Sequence, residues 1–118
     1  MKAIKIYFFV SVVIFLYGCG GAQLMNDSLK INAGQNKDEV IKILGAPGNR
    51  QFNGKDEAWQ WCATGMSTDD FLVVWFYDGI VTGITTYKNS YGIGSCDQFY
   101  RTVNWQDAPD RTYEIRNR

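Results

Sequence analysis

Phe71-Leu72-Val73-Val74-Trp75-Phe76-Tyr77, then Asp78-Gly79, then Ile80-Val81-Thr82-Gly83-Ile84-Thr85-Thr86-Tyr87 is the stretch from which the fold is read. An uncharged apolar and aromatic run, a two-residue turn that tolerates positive φ, and a threonine-rich, β-branched run together specify a β-hairpin. With a type I′ turn the register follows: Tyr77 faces Ile80, Phe76 faces Val81, Trp75 faces Thr82, Val74 faces Gly83 and Val73 faces Ile84. Leu72, Val74, Phe76 and Val81 then share one face, and Gly83 beside Val74 would let a helix come close there. Phe71, Val73, Trp75, Tyr77, Ile80 and Ile84 fall on the other face, which is too apolar to stay wholly in water.

Upstream, Asn36-Lys37-Asp38-Glu39 reads as an N-cap with a glutamate three residues on, a capping-box variant. Val40, Ile43 and Leu44 recur at helical spacing, with Ile41 at the edge of the stripe. Gly45 suits the left-handed position past a helix end and Pro47 blocks continuation, so the spacing predicts a short helix from Lys37 to Leu44. Eight residues cannot hold a helix alone in water, so this one must dock on the sheet. A further strand is expected from Glu57 to Ala63, alternating Trp59, Trp61 and Ala63 against Ala58, Gln60 and Cys62. Gly48 to Asp56, polar and carrying Asn53-Gly54, reads as a loop, as does Thr64 to Asp70. Beyond Tyr87, a glycine-punctuated loop leads to Cys96–Val103, short helix or irregular, and Arg111 to Arg116 reads as a final edge strand. The fold class expected is two-layer α+β: one or two short N-terminal helices on a three-stranded antiparallel meander, with a C-terminal extension.

The chain opens with Lys2 and Lys5, an almost unbroken apolar run from Ile6 to Tyr17, and Gly18 before Cys19. Basic residues, an apolar core and a small residue make a secretory signal. Leu16-Tyr17-Gly18-Cys19 also resembles the lipobox of bacterial lipoproteins. That resemblance implies cleavage before Cys19, a diacylglyceryl group such as palmitate chains on its sulfur, and acylation of the freed amine. Gly20 in place of aspartate after the cysteine points to the outer membrane. A secretory signal with a coincident cysteine is the rival reading; a membrane-spanning helix would need about 20 apolar residues. The expected organisation is a signal at 1–18, a lipidated tether at 19–28 and a domain at 29–118, divided into a core at 29–87 and an extension at 88–118.

In an oxidising compartment the remaining cysteines, Cys62 and Cys96, are expected to form a disulfide. A redox-active or metal-binding pair is the alternative, but CxxC spacing and histidine are both missing from the sequence. The 12 basic and 12 acidic residues form no basic block, which argues against nucleic acid as a partner. Asp69-Asp70 and the Asp107/Asp110 pair fall in expected turns, where aspartate caps backbone amides, so no catalytic residue, cofactor or small-molecule substrate is expected.

Gly34, Glu39, Val40, Leu44, Gly45 and Pro47 together reproduce a pattern, G-x4-EV-x3-LG-x-P, that resembles the signature of the SmpA/OmlA/BamE family of outer-membrane lipoproteins. Trp59-Gln60-Trp61 sits where that family places an aromatic strand, and Leu72 to Val81 is similar to its hairpin. The resemblance covers about Leu29 to Thr86. It implies two short helices on a three-stranded sheet, with Asp27 to Ile31 supplying the first helical turn. It also implies accessory work in assembling β-barrel outer-membrane proteins, with the subunits of that assembly complex as partners. Cys62, Cys96 and the segment through Ala108-Pro109-Asp110 depart from the pattern and suggest a C-terminal closure over Trp75 or Phe71. Trp59, Trp61 and Trp75 are candidate partner-binding aromatics, each with the competing reading of a core residue. A protein-binding inhibitor of the same fold is the alternative, using Thr64-Gly65-Met66-Ser67 or Tyr91-Gly92-Ile93 as an inserted loop.

Overall fold

The computed structural model describes residues 20–90 and 94–110, so the expected signal at 1–18, Cys19, the expected loop residues 91–93 and the expected strand at 111–116 lie outside the described residues. Among the described residues, two helices precede the sheet. The first, α1 (Gly20–Ser28), occupies the segment read as a tether and sets Leu24 against the core. Helical structure therefore starts ahead of Asp27, and a tightening turn carries it on, with Leu29, Lys30 and Ile31 amides bonded to the carbonyls of Asn26, Asp27 and Ser28.

The second helix, α2 (Lys37–Leu44), has the expected limits. Asn36, in extended conformation, accepts the Glu39 amide on its side chain at 2.9 Å, satisfying a donor the helix cannot. Gly45 ends the helix at φ 77°, with its N–H on the Ile41 carbonyl at 2.8 Å. Its own carbonyl accepts the Trp61 indole N–H at 3.2 Å, so the residue that stops the helix also fixes it to the sheet.

The sheet has four antiparallel strands in sequential order, one more than expected: β1 (Asn49–Asn53), β2 (Asp56–Thr64), β3 (Asp69–Tyr77) and β4 (Ile80–Asn89). The additional strand is β1, which the sequence reading places in a loop. Its residues show no apolar alternation because β1 is an edge strand whose Asn49 and Gln51 side chains are held by amide hydrogen bonds instead of by packing.

Asp78 and Gly79 join β3 to β4 with φ of 51° and 81°, the sign a type I′ turn requires at both central residues. Tyr77–Ile80 and Phe76–Val81 pair as expected, but Trp75 then faces Gly83, Val74 faces Ile84 and Val73 faces Thr85. A β-bulge at Thr82 is the cause: one extra residue in β4 shifts every later pair by one. Ile84 consequently moves to the helix-side face, and Gly83 lies beside Trp75, not Val74. What approaches Gly83 is Pro109, whose Cγ would stand 2.7 Å from any Cβ placed there.

Two cores flank the sheet. On the helix side Val40, Trp59, Trp61, Leu72, Val74, Phe76 and Val81 pack with Ile31, and Ile43 and Leu44 close over them. On the outer side Ala58, Val73 and Trp75 are covered by Val103, Trp105 and Ala108 from the C-terminal segment. That segment, residues 94–110, crosses the outer face as a strap with short 3-10 turns at Cys96–Gln98 and Trp105–Asp107.

Candidate functional site

The strap is tied to the sheet along its whole length, and these ties shape the cleft beside it. At one end Cys62 and Cys96 are joined as a disulfide. Next to it the buried Asp69 carboxylate accepts the Gly94 amide at 3.0 and 3.2 Å, and Asp70 accepts the Thr68 hydroxyl at 2.9 Å. In the middle, Gln60, fully buried between the two tryptophans of β2, donates to the Arg101 carbonyl at 2.8 Å and the Asn49 side chain at 3.2 Å and accepts the Tyr87 hydroxyl. Gln51 repeats the pattern, donating to the Arg101 carbonyl and accepting the Val103 amide, each at 2.9 Å. At the far end Trp105 meets Trp75 edge-on, 6.0 Å between centroids, and Pro109 covers Gly83.

Between strap and sheet lies a cleft of about 450 Å³. Val73, Trp75, Thr85 and Tyr87 form its floor, and Arg101, Val103 and Asp107 form the lip. The Arg101 guanidinium lies over the Tyr87 ring at 4.5 Å, and Tyr87 stacks in turn on Phe71 with ring planes 7° apart. Burial raises the Tyr87 phenol above its ordinary pKa, against the opposing pull of the Arg101 amide and charge. Tyr100, edge-on to Phe71, is raised by burial first and then by Asp97 and Tyr87. An exposed guanidinium, a carboxylate and aromatic walls make this a surface suited to recognition.

No family model, curated protein or solved structure matches the chain.

The residues singled out from the sequence separate into distinct places. Gly34, at φ 96°, turns the chain so that its amide meets the Val81 carbonyl at 2.9 Å, while Val40 and Leu44 are packing residues and Glu39 presents its amide to the helix cap. Pro47 is half-buried just before Gly48, whose amide bonds the Gln60 carbonyl at 2.9 Å. These motif residues build the helix-to-sheet junction. The three candidate aromatic anchors are core residues in this fold: Trp59, Trp61 and Trp75 are 3%, 6% and 3% exposed. Their indole N–H groups are satisfied by Glu57, the Gly45 carbonyl and Thr85 respectively. Trp59 also lies between Lys37 and Arg50, whose cationic groups are 5.7 and 5.0 Å from the ring, with Glu57 accepting Lys37 at 2.6 Å.

Among the exposed apolar side chains, Met66 stands fully in solvent at the tip of the β2–β3 loop. Sequence reading passed over Arg101, Asp107 and Tyr87 as cleft residues because they are distant in sequence and of ordinary type. Gln60 lies on the strap face of β2, paired with Val73 and opposite to Trp59 and Trp61, so strand alternation alone sets it away from the core tryptophans and gives no sign of the partners that bury it.

Proposed function

We propose that this chain is a lipid-anchored lipoprotein of the bacterial outer membrane, facing the periplasm, and that it acts by binding protein, as a non-catalytic accessory in envelope or β-barrel protein assembly. The observation that carries this reading is Leu16-Tyr17-Gly18-Cys19 at the end of a basic and apolar leader. A disulfide between Cys62 and Cys96 suits an exported domain. The likeness to the SmpA/OmlA/BamE pattern supports the assembly role, and the capped α2 with its Gly45 stop packed on an antiparallel hairpin suits that fold. Lipid chains hold the domain at the membrane, where confinement raises the effective concentration of partners and modest affinity suffices.

Two measurements test this. Wild-type protein should take up labelled palmitate and a Cys19→Ala precursor should not; equal labelling of both removes the anchor. Copurification from detergent-solubilised envelopes should then recover barrel-assembly subunits. A second reading, inhibition of a hydrolase by an inserted loop, draws on the fully exposed Met66 in a loop that neighbours the disulfide, with Thr64 Oγ1 3.8 Å from Cys96 Sγ. Recovery of one soluble hydrolase, lost on Met66→Asp, would favour that reading.

A further inference from the structure

Strand β1 closes the sheet on the side away from β4, and its Phe52 ring stands 58% exposed there. A lone exposed ring is ordinary on a protein surface. What sets this one apart is its spacing from Arg50, on an edge whose main chain points outward. Among the described residues, the hydrogen bonds and ring contacts of Asn49 to Asn53 run to β2, to the strap or within the strand.

The turn decides which main-chain groups of β1 face outward. Gly54-Lys55 is a two-residue turn with Gly54 at φ 63°, so the Asn53–Asp56 pair beside it is hydrogen-bonded. Such pairs alternate along an antiparallel ladder, which bonds Gln51 and Asn49 to β2 and directs the N–H and C=O of Arg50 and Phe52 away from it. These two residues face Trp59 and Glu57, so their side chains lie on the helix side of the sheet. There the Arg50 guanidinium is 5.1 Å from the Phe52 ring and 5.0 Å from the Trp59 ring. On the opposite face the strap closes over Gln51.

We propose that β1 is a self-pairing edge, along which two copies of this chain join antiparallel about a two-fold axis through Gln51. Rotation about that axis brings Arg50 of each copy against Phe52 of the other, a cation over a ring on both sides of the axis. The outward amides and carbonyls of Arg50 and Phe52 bond across the axis, and the two sheets become one continuous sheet. Charge sets the register. An axis through Arg50 stacks guanidinium on guanidinium and calls on Gly48, whose amide is already on the Gln60 carbonyl; an axis through Phe52 leaves each arginine facing the Gly54 turn. A short edge carrying one charge disfavours unrelated strands and admits its own copy, because the ring that answers Arg50 sits two residues further along.

The test uses the whole chain, kept dispersed in mild detergent on account of its apolar leader. Sedimentation should show a second copy joining between about 10 µM and about 1 mM chain. Over the same range, deuterium exchange should slow at the Arg50 and Phe52 amides and stay unchanged at Asn49, Gln51 and Asn53, which β2 already holds. With half of the copies isotope-labelled, contacts should appear between the Phe52 ring of one copy and Arg50 of the other. Phe52→Lys meets Glu57 of its own β2, which keeps the fold, but sets like charge against Arg50 of the other copy. Its dissociation constant should rise about ten-fold or more, while that of Phe52→Tyr stays within about two-fold. A single copy at about 1 mM, or pairing that Phe52→Lys leaves unchanged, overturns the proposal. So does slow exchange at Arg50 and Phe52 that is complete at the lowest concentration, since another part of the same chain then holds the edge.

Discussion

Replacing Cys62 and Cys96 together by alanine removes the covalent tie between β2 and the strap without burying a new polar group. The two cysteines are 34 residues apart with Cα atoms 5.8 Å apart. Cross-linking over that separation restricts the unfolded chain by roughly 4 kcal/mol on the loop-entropy relation. The folded state should survive the change. The strap keeps the Gln60 and Gln51 bonds to the Arg101 carbonyl at 2.8 and 2.9 Å and the Trp75–Trp105 contact. The loss is therefore mostly a gain in denatured-state freedom, and it is a large share of the roughly 5 to 15 kcal/mol that holds a domain together. Urea unfolding of a chain that begins at Gly20, followed by tryptophan fluorescence, measures it. With a slope of about 1.5 kcal/mol per molar urea, the midpoint should fall by about 2 to 3 M, and the slope should rise slightly as the unlinked chain expands. A loss below about 1 kcal/mol, or a wild-type midpoint indifferent to reductant, would refute the argument that the strap is secured covalently.

Other substitutions probe the noncovalent ties. Gly83→Ala drives a methyl group to within 2.7 Å of Pro109 Cγ and should cost about 1 to 2 kcal/mol, with part of the loss recovered in the Gly83→Ala/Pro109→Ala double variant; additive losses in calorimetry would deny the contact. Gln60→Leu strips partners from the Arg101 carbonyl, Asn49 and the Tyr87 hydroxyl, and a destabilisation of about 2 to 3 kcal/mol is expected in the same urea assay. The pH dependence follows from Tyr87 and Tyr100, both raised in the fold by burial. The folded state holds these protons more tightly than the unfolded state, so their contribution is complete below about pH 10 and declines as pH rises through the folded values. Urea midpoints from about pH 8 to about pH 11 should fall at the alkaline end, less steeply for Tyr100→Phe; a flat or rising profile contradicts the assignment.

The parts of the fold legible in the sequence are those written in hydrophobic pattern and cap chemistry. Asn36, Val40, Leu44 and Gly45 specify α2 to the residue, and Leu72, Val74, Phe76 and Val81 name the helix-side core because each local signal agrees with the packing. What escaped reading is held by partners remote in sequence. Strand β1 is polar because its Asn49 and Gln51 answer to Gln60, Arg101 and Val103, 50 or more residues distant from Gln51 in the last two cases. The bulge at Thr82 is likewise invisible locally: Gly83 permits it, but Pro109 on the strap fills the space beside Trp75. The cleft fared the same way, since Tyr87, Arg101 and Asp107 converge only once the strap is laid down.

The strap comes from the C-terminal part of the chain, and this orders events during synthesis. Leu24 through Val81 hold every residue needed for the helix-side core, so that half can consolidate as soon as they have emerged. Tyr87 of β4 gives Phe71 and Val73 partial cover, but the outer face is closed only when Tyr100, Val103, Trp105 and Ala108 follow, and in that interval Trp75 and its neighbours present sticky surface to any other chain. Oxidation of Cys62 before Cys96 arrives can only give a wrong partner. Shielding of the outer face of the sheet before the strap is laid down, and late oxidation of Cys62, are therefore demands that this topology places on the folding chain.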